Sequence, residues 1–262
     1  MTHFSMPAAT YMTRPDHSVA PSATIEEVYR LMSDRGISCV PVVEPGDLPT
    51  GVLSRTDLLK LGRASRAEGG RPVSLSWPEA TAGEKMHRGV VSVPESAAMN
   101  DVARLMVKQR IHRVFVVKEG ALRGVVSTKE ILLALRDKRE SSAIGEHMSK
   151  HAFTMPVTST LAQATDRLWN AHVSGLVVVD EDEHPIGVFT QVEALTARDF
   201  PRETPLEDVM SYAMLCLHVS TPLHRAAAHA YATRARRVLV TEDHRVVGVL
   251  TGLDFARAAS TH

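Results

Sequence analysis

The chain has 262 residues, 44% of them hydrophobic but only 5% aromatic, which suits packed aliphatic cores and argues against disorder. Lys plus Arg number 30 and Asp plus Glu 30, so the formal net charge is zero and the basic surplus that nucleic-acid binding requires is missing. The cysteines Cys39 and Cys216 are too few and too far apart for a disulfide framework or a metal knuckle, and fit small buried hydrophobes in a reducing cytoplasm.

No run approaches the roughly 18 apolar residues of a membrane helix. The opening MTHFSMPAATYMTRP lacks the charged and apolar regions of a signal peptide. The expectation is a soluble, cytoplasmic protein with no membrane contact.

Along the chain the hydrophobic period switches repeatedly. Thr24-Ile-Glu-Glu27 forms a capping box and opens a helix whose Ile25, Val28, Leu31 and Met32 recur at helical spacing. The run Cys39–Val43 predicts a buried strand, Glu44–Thr50 a turn, Gly51–Leu53 a second strand, and Ser54 the start of another helix. Between Leu61 and Thr81 lies a stretch rich in Gly, Ser, Arg and Pro that reads as a connecting insertion. The pattern then returns. Strands are expected at Val114–Val117 and Val125–Val126, at Leu176–Val179 and Gly187–Phe189, and at Val238–Val240 and Val249–Leu250. A second capping box spans Thr160 to Gln163, and Asp182–Pro185 makes a turn.

These elements belong to an internal repeat. Gly51-Val-Leu-Ser-Arg-Thr-Asp57, Gly124-Val-Val-Ser-Thr-Lys-Glu130, Gly187-Val-Phe-Thr-Gln-Val-Glu193 and Gly248-Val-Leu-Thr-Gly-Leu-Asp254 share one pattern, with glycines 73, 63 and 61 residues apart. Met12, Met86, Met148 and Met210 advance beside them in steps of 74, 62 and 62. Each unit reads as β-α-β-β-α, so the fold class is α/β (α+β).

A three-stranded unit buries too little surface to stand comfortably alone, and pairing solves this. Four units make two pseudo-two-fold pairs. The first pair is expected over residues 1–140, with units at about 10–64 and 84–138 and a linker at 62–82. The second is expected over 141–262, with units at about 143–198 and 204–259.

The order Met-Thr, capped amphipathic helix, apolar strand, turn and Gly-h-h-Ser/Thr-x-x-Asp resembles the CBS domain, named after cystathionine β-synthase and found in tandem pairs called Bateman modules. The resemblance runs from about Thr10 to Ala259. It implies clefts between paired units that hold adenosine compounds: AMP, ADP, ATP or S-adenosylmethionine. It makes Asp57 and Asp254 the acids for ribose hydroxyls, and Ser54, Ser127, Thr190 and Thr251 the hydroxyls that help receive phosphate. Glu130 and Glu193 depart from the family's Asp. A physical reason stands beside the resemblance, since a helix N-terminus offers unpaired N–H groups and a positive dipole end to an anion. The competing reading is also physical: Ser/Thr-x-x-Asp/Glu at a helix start is a capping box that satisfies backbone donors without any ligand.

For phosphate, Arg113 lies where the family often carries a His-Arg pair before its strand. Arg236 is taken as its counterpart in the fourth unit, and Arg55 follows the first motif serine. A guanidinium fork matches two phosphate oxygens. His147 and His151 have a metal-ligand spacing but no third ligand nearby.

No HExxH, P-loop, G-x-S-x-G or dinucleotide glycine pattern occurs, and the repeats leave no room for a catalytic domain. The expected protein is therefore a non-catalytic regulator with no required cofactor. It would bind an adenine nucleotide (AMP, ADP or ATP), act on a protein partner the sequence does not name, and assemble as a homodimer or as an internal four-unit disc. The alternatives are a ligand-free dimerisation or interaction scaffold, and a sensor of S-adenosylmethionine or another nucleotide.

Overall fold

The computed structural model describes residues 4–14, 17–64, 77–171, 173–197 and 200–261. Most of the Gly- and Arg-rich insertion falls outside these residues. What is described is an α/β arrangement of three-stranded sheets and helices repeating in chain order.

The first repeat has α1 (Ala8–Tyr11), α2 (Ile25–Asp34), β1 (Cys39–Glu44), β2 (Leu48–Ser54) and α3 (Arg55–Ala64). The second has α4 (Ala82–Lys85), β3 (His87–Arg88), β4 (Ser92–Pro94), α5 (Met99–Gln109), β5 (Arg113–Lys118), β6 (Ala121–Ser127) and α6 (Thr128–Asp137). The third has β7 (Thr154–Pro156), α7 (Leu161–Asn170), β8 (Gly175–Val179), β9 (Pro185–Thr190) and α8 (Gln191–Thr196). The fourth has β10 (Cys216–His218), α9 (Leu223–Thr233), β11 (Arg237–Glu242), β12 (Arg245–Thr251) and α10 (Gly252–Ser260). Single 3-10 turns at Ile144–Glu146 and Leu206–Asp208 open the third and fourth repeats.

Local chemistry explains the boundaries. Glu27 accepts from the Thr24 N–H while Thr24 Oγ1 accepts from the Glu27 N–H, so two orphan donors at the start of α2 are satisfied. Ile25, Val28 and Met32 then face the core. Thr160 and Gln163 do the same for α7.

In the last three repeats a short strand runs parallel to the middle strand, as β4 with β5, β7 with β8 and β10 with β11. In the first repeat this strand shrinks to the parallel bridge Val19↔Val42. The bridge suits Pro41, whose carbonyl accepts from the Val19 N–H and which has no N–H to leave unpaired.

The hairpins are longer than the apolar runs suggest. Pairing continues through Glu44↔Leu48 and Glu242↔Arg245, past bulges at Val42/Val43 and Val240/Thr241. Solvent-facing residues, Glu44, Leu48, Glu242 and Arg245, keep a ladder going beyond the buried apolar runs.

The chain divides into two compact units, one of 12–96 with 114–125 and the other of 1–11, 97–113 and 126–262. In the first, Ile25, Val28, Met32, Val40, Leu53 and Leu58 form the core. In the second, Leu161, Leu168, Val178, Phe189 and Leu206 form one core and Val177, Val179 and Leu239 another, while α5 packs on α10 and α6 on α9.

Candidate ligand site

Each of the four glycine motifs ends in a hydrogen-bonded loop at a helix start. Asp57 Oδ2 accepts from the Ser54 N–H at 2.8 Å and from Ser54 Oγ at 2.5 Å. Asp254 Oδ2 accepts from the Thr251 N–H at 2.8 Å and from Thr251 Oγ1 at 2.7 Å. Glu130 takes the same two donors from Ser127, and Glu193 from Thr190. Capping thus engages one carboxylate oxygen in every copy. Asp57, Glu130 and Asp254 are buried.

The second oxygen of each aspartate is also engaged, and differently. Asp57 Oδ1 lies 2.8 Å from His87 Nε2. Asp254 Oδ1 accepts from Arg257 at 2.9 Å, three residues along its own helix, and from Ser149 Oγ at 3.3 Å. His87 and Ser149 each follow a landmark methionine, and each comes from the lead-in of a neighbouring repeat. These lead-ins run antiparallel to the last strand of that neighbour: Val52↔His87, Thr13↔Val125, Ser149↔Val249 and Val188↔Ser211. The methionine side chains rest on the motif glycines, Met12 on Gly124, Met86 on Gly51, Met148 on Gly248 and Met210 on Gly187.

In the larger unit the motif ends of the second and fourth repeats meet. A Cβ on Gly252 would lie 2.6–2.8 Å from the Thr128 side chain, so only glycine lets α10 start this close to α6. Basic groups gather around Arg236. The Arg113 guanidinium, short of hydration and repelled by Arg236, falls to about 10 despite the opposing pull of Glu130. Lost hydration and then Arg236 also lower Arg237, which Glu193 opposes. Lost hydration, Arg236 and Arg237 lower the imidazole of His112. Arg113 and Arg237 are half-buried, while His112 and Arg236 keep exposed edges.

Strand register corrects one correspondence. Arg237 pairs with Thr251 as Gly175 does with Thr190 and Cys39 with Ser54, so the counterpart of Arg113 at the head of its strand is Arg237. Arg236 matches His112 instead. Arg237 reaches across to the third repeat, lies against the α-carbon of Gly175 and donates to Ser174 Oγ at 2.5 Å. Arg55 is turned to its own repeat, donating to the Ile37 carbonyl at 3.2 Å.

Sequence reasoning missed Arg237, Arg257 and His87. Counting back from the apolar run would have found Arg237. His87 left no trace, because threonine or serine stands at its place in the other repeats.

Two clefts of about 380 Å³ each lie elsewhere. The first, in the smaller unit, is lined by Arg14, Lys118 and Arg123 together with Asp47 and Glu95; the second, in the larger unit, includes His184, Cys216 and His244. Neither takes a lining residue from Ser54, Arg55, Asp57, Arg113, Ser127, Thr190, Arg236, Thr251 or Asp254. Among the described residues no cluster of three or more His, Cys, Asp or Glu side chains is placed to hold a metal ion, and no helix is long and apolar enough to cross a membrane.

The repeat matches the CBS domain at residues 8–63, 82–137, 144–199 and 206–261, which together span most of the chain. The protein belongs to the CBS domain family.

Among similar proteins, the CBS domain-containing protein YhcV of Bacillus subtilis is 30% identical over 120 residues, covering 46% of this chain and 79% of that one. Inosine-5'-monophosphate dehydrogenase of Halobacterium salinarum is 26% identical over 135 residues, covering 49% of this chain but only 25% of the enzyme. In fold, the chain is similar to protein MJ1225 of Methanocaldococcus jannaschii, with TM-score 0.79 and 16% identity over 97% of this chain and 99% of the other. A conserved protein of Pyrococcus horikoshii gives TM-score 0.71 and 17% identity over 97% and 100%.

Proposed function

We propose that this four-CBS protein is a non-catalytic sensor of an adenosine-type ligand, AMP, ADP or ATP, held in clefts between paired repeats. The pairs are taken as the first with the second and the third with the fourth, dividing near residue 141, and the ligand's phosphate is taken to reach the seam where the second repeat of one pair meets the fourth of the other. The observation that carries the reading is the meeting of α6 and α10 at Thr128 and Gly252, with Arg113, Arg237 and His112 each within electrostatic range of Arg236. Like charges held this way repel, and a polyanion seated among them removes the repulsion while accepting N–H groups from a helix start.

In this reading Asp57 and Asp254 take the ribose hydroxyls. Ser54, Ser127, Thr190 and Thr251 serve the phosphate side. Arg113 and Arg236, with Arg55 at the first motif, supply positive charge.

Ligand acts by population shift. It favours one arrangement of the repeats in proportion to its differential affinity, and a partner protein reads that arrangement. The chain needs no cofactor for this, and works as a homodimer or as an internal four-repeat disc.

One observation favours a ligand-free interaction scaffold: both oxygens of Asp57 and of Asp254 already have protein partners. Thermal unfolding with millimolar AMP, ADP, ATP and S-adenosylmethionine separates the readings. A ligand at 100 times its Kd stabilises by about 2.7 kcal/mol, and the midpoint should rise by about 5–10 °C. The rise should shrink in Asp254→Asn. No rise with any of the four supports the scaffold, and a rise with S-adenosylmethionine alone changes the ligand.

A further inference from the structure

We propose that His87 is a displaceable cap on the first repeat's ligand position, so that the acids Asp57 and Asp254 form two sites of different affinity. The inference rests on the sensor reading above.

The four lead-in segments place one residue after the landmark methionine: Thr13, His87, Ser149 and Ser211. Three are small hydroxyl residues. His87 alone brings a ring, and its Nε2 lies 2.8 Å from Asp57 Oδ1. The acid's side chain is only 10% exposed while that of His87 is 69% exposed. A solvent-facing group therefore covers a carboxylate that has little other exposure. The other oxygen of Asp57 is committed to capping α3 through Ser54. A vicinal diol approaching Asp57 needs the oxygen that His87 holds, so the imidazole must swing out first.

The partner over Asp254 is built otherwise. Asp254 Oδ1 is also held, but by Arg257 three residues along the same helix at 2.9 Å and by the small Ser149 at 3.3 Å, so releasing it requires only a side-chain turn of Arg257 within α10 and moves no ring from a neighbouring repeat. His87 instead comes from the neighbouring repeat, on the two-residue strand β3 that pairs with β2 through Gly51↔Arg88 and Val52↔His87. Met86, just before it, packs on Gly51. Displacing His87 thus disturbs the segment that joins the first repeat to the second. Occupancy at Asp57 is thereby reported to the lead-in of the next repeat.

The test is calorimetric titration of the full chain with AMP, for wild type, His87→Ser, Asp57→Asn, and His87→Ser with Asp57→Asn. His87→Ser installs the residue type found in the third and fourth repeats. The cap predicts that His87→Ser tightens one class of site by about threefold to tenfold, that Asp57→Asn removes this class, and that the double variant shows no tightening. AMP binding that is unchanged or weaker in His87→Ser, with wild type still binding through Asp254, overturns the cap and leaves the sensor standing. Absence of binding to all four proteins, across ADP and ATP as well, overturns the sensor and the cap together.

Discussion

Met148 lies against the α-carbon of Gly248, and a Cβ there would also come within 2.8 Å of the Ser149 carbonyl oxygen. The sulfur of one repeat's lead-in and the bare backbone of its neighbour's last strand fill the same space. Gly248→Ala is therefore expected to destabilise by about 1–3 kcal/mol, as overpacking does. For a chain of this size that lowers the midpoint by roughly 2–10 °C. Met148→Ala in the same background should recover part of the loss, because it removes the side-chain clash but not the carbonyl one. Additive effects in the double-mutant cycle would contradict the contact.

The cation cluster makes a second prediction, in pH. The folded-state pKa of His112 is lowered from 6.5 by lost hydration and by Arg236 and Arg237. Above pH about 6.5 both states hold a neutral ring and the residue costs nothing. As the pH falls through that value the unfolded chain takes the proton first, so stability is lost until the folded-state pKa is passed. Chemical denaturation of His112→Gln against wild type should show the variant losing less stability between pH 7 and 5. Equal slopes would mean that lost hydration and the neighbouring guanidiniums together do not lower this ring's pKa.

Arg237 offers a third test. Its guanidinium occupies the space that a side chain at Gly175 would need, with a Cβ there lying 2.6 Å from Cζ. Because that end of arginine is flexible, Gly175→Ala should fold. It should expel Arg237 from Ser174 and lower the midpoint by a few degrees, consistent with losing about 1 kcal/mol from one hydrogen bond. Arg237→Ala should remove most of the difference between Gly and Ala at position 175.

What could be read from the residues follows the range of the interactions. Capping boxes, apolar runs and the four-fold recurrence are local, so Thr24, Thr160 and the strands announce themselves. Methionine and glycine showed as a shared period, but not as a contact, because each glycine meets the methionine of a neighbouring repeat. The hairpin arms ran past their apolar centres because exposed strand residues carry no burial signal. Arg236 was matched to Arg113 one residue out of step, since a run of Arg-Ala-Arg-Arg does not reveal which residue opens the strand. His87 required knowing which lead-in crosses which motif, and that is a tertiary fact.

The capping loops have a consequence for any mutational test of ligand binding. Asp57 and Asp254 cap α3 and α10 as well as facing the proposed ligand, so alanine at either should cost about 1–2 kcal/mol without ligand present. Unfolding midpoints of the apo variants would show this. A variant as stable as wild type would mean that the cap hydrogen bonds contribute nothing.

The central claim is that the phosphate of an adenosine ligand is held by the cations between the second and fourth repeats. The most direct measurement is calorimetric titration of AMP and of adenosine into wild type and Arg236→Gln, a substitution at an exposed position. A hydrogen bond to a charged group contributes about 1.5–3 kcal/mol, or roughly a tenfold to hundredfold change in affinity. AMP should bind wild type more tightly than adenosine by at least about tenfold, and Arg236→Gln should narrow that ratio while leaving adenosine unchanged. Equal affinities for AMP and adenosine in wild type, or an unaltered ratio in the variant, would contradict the claim.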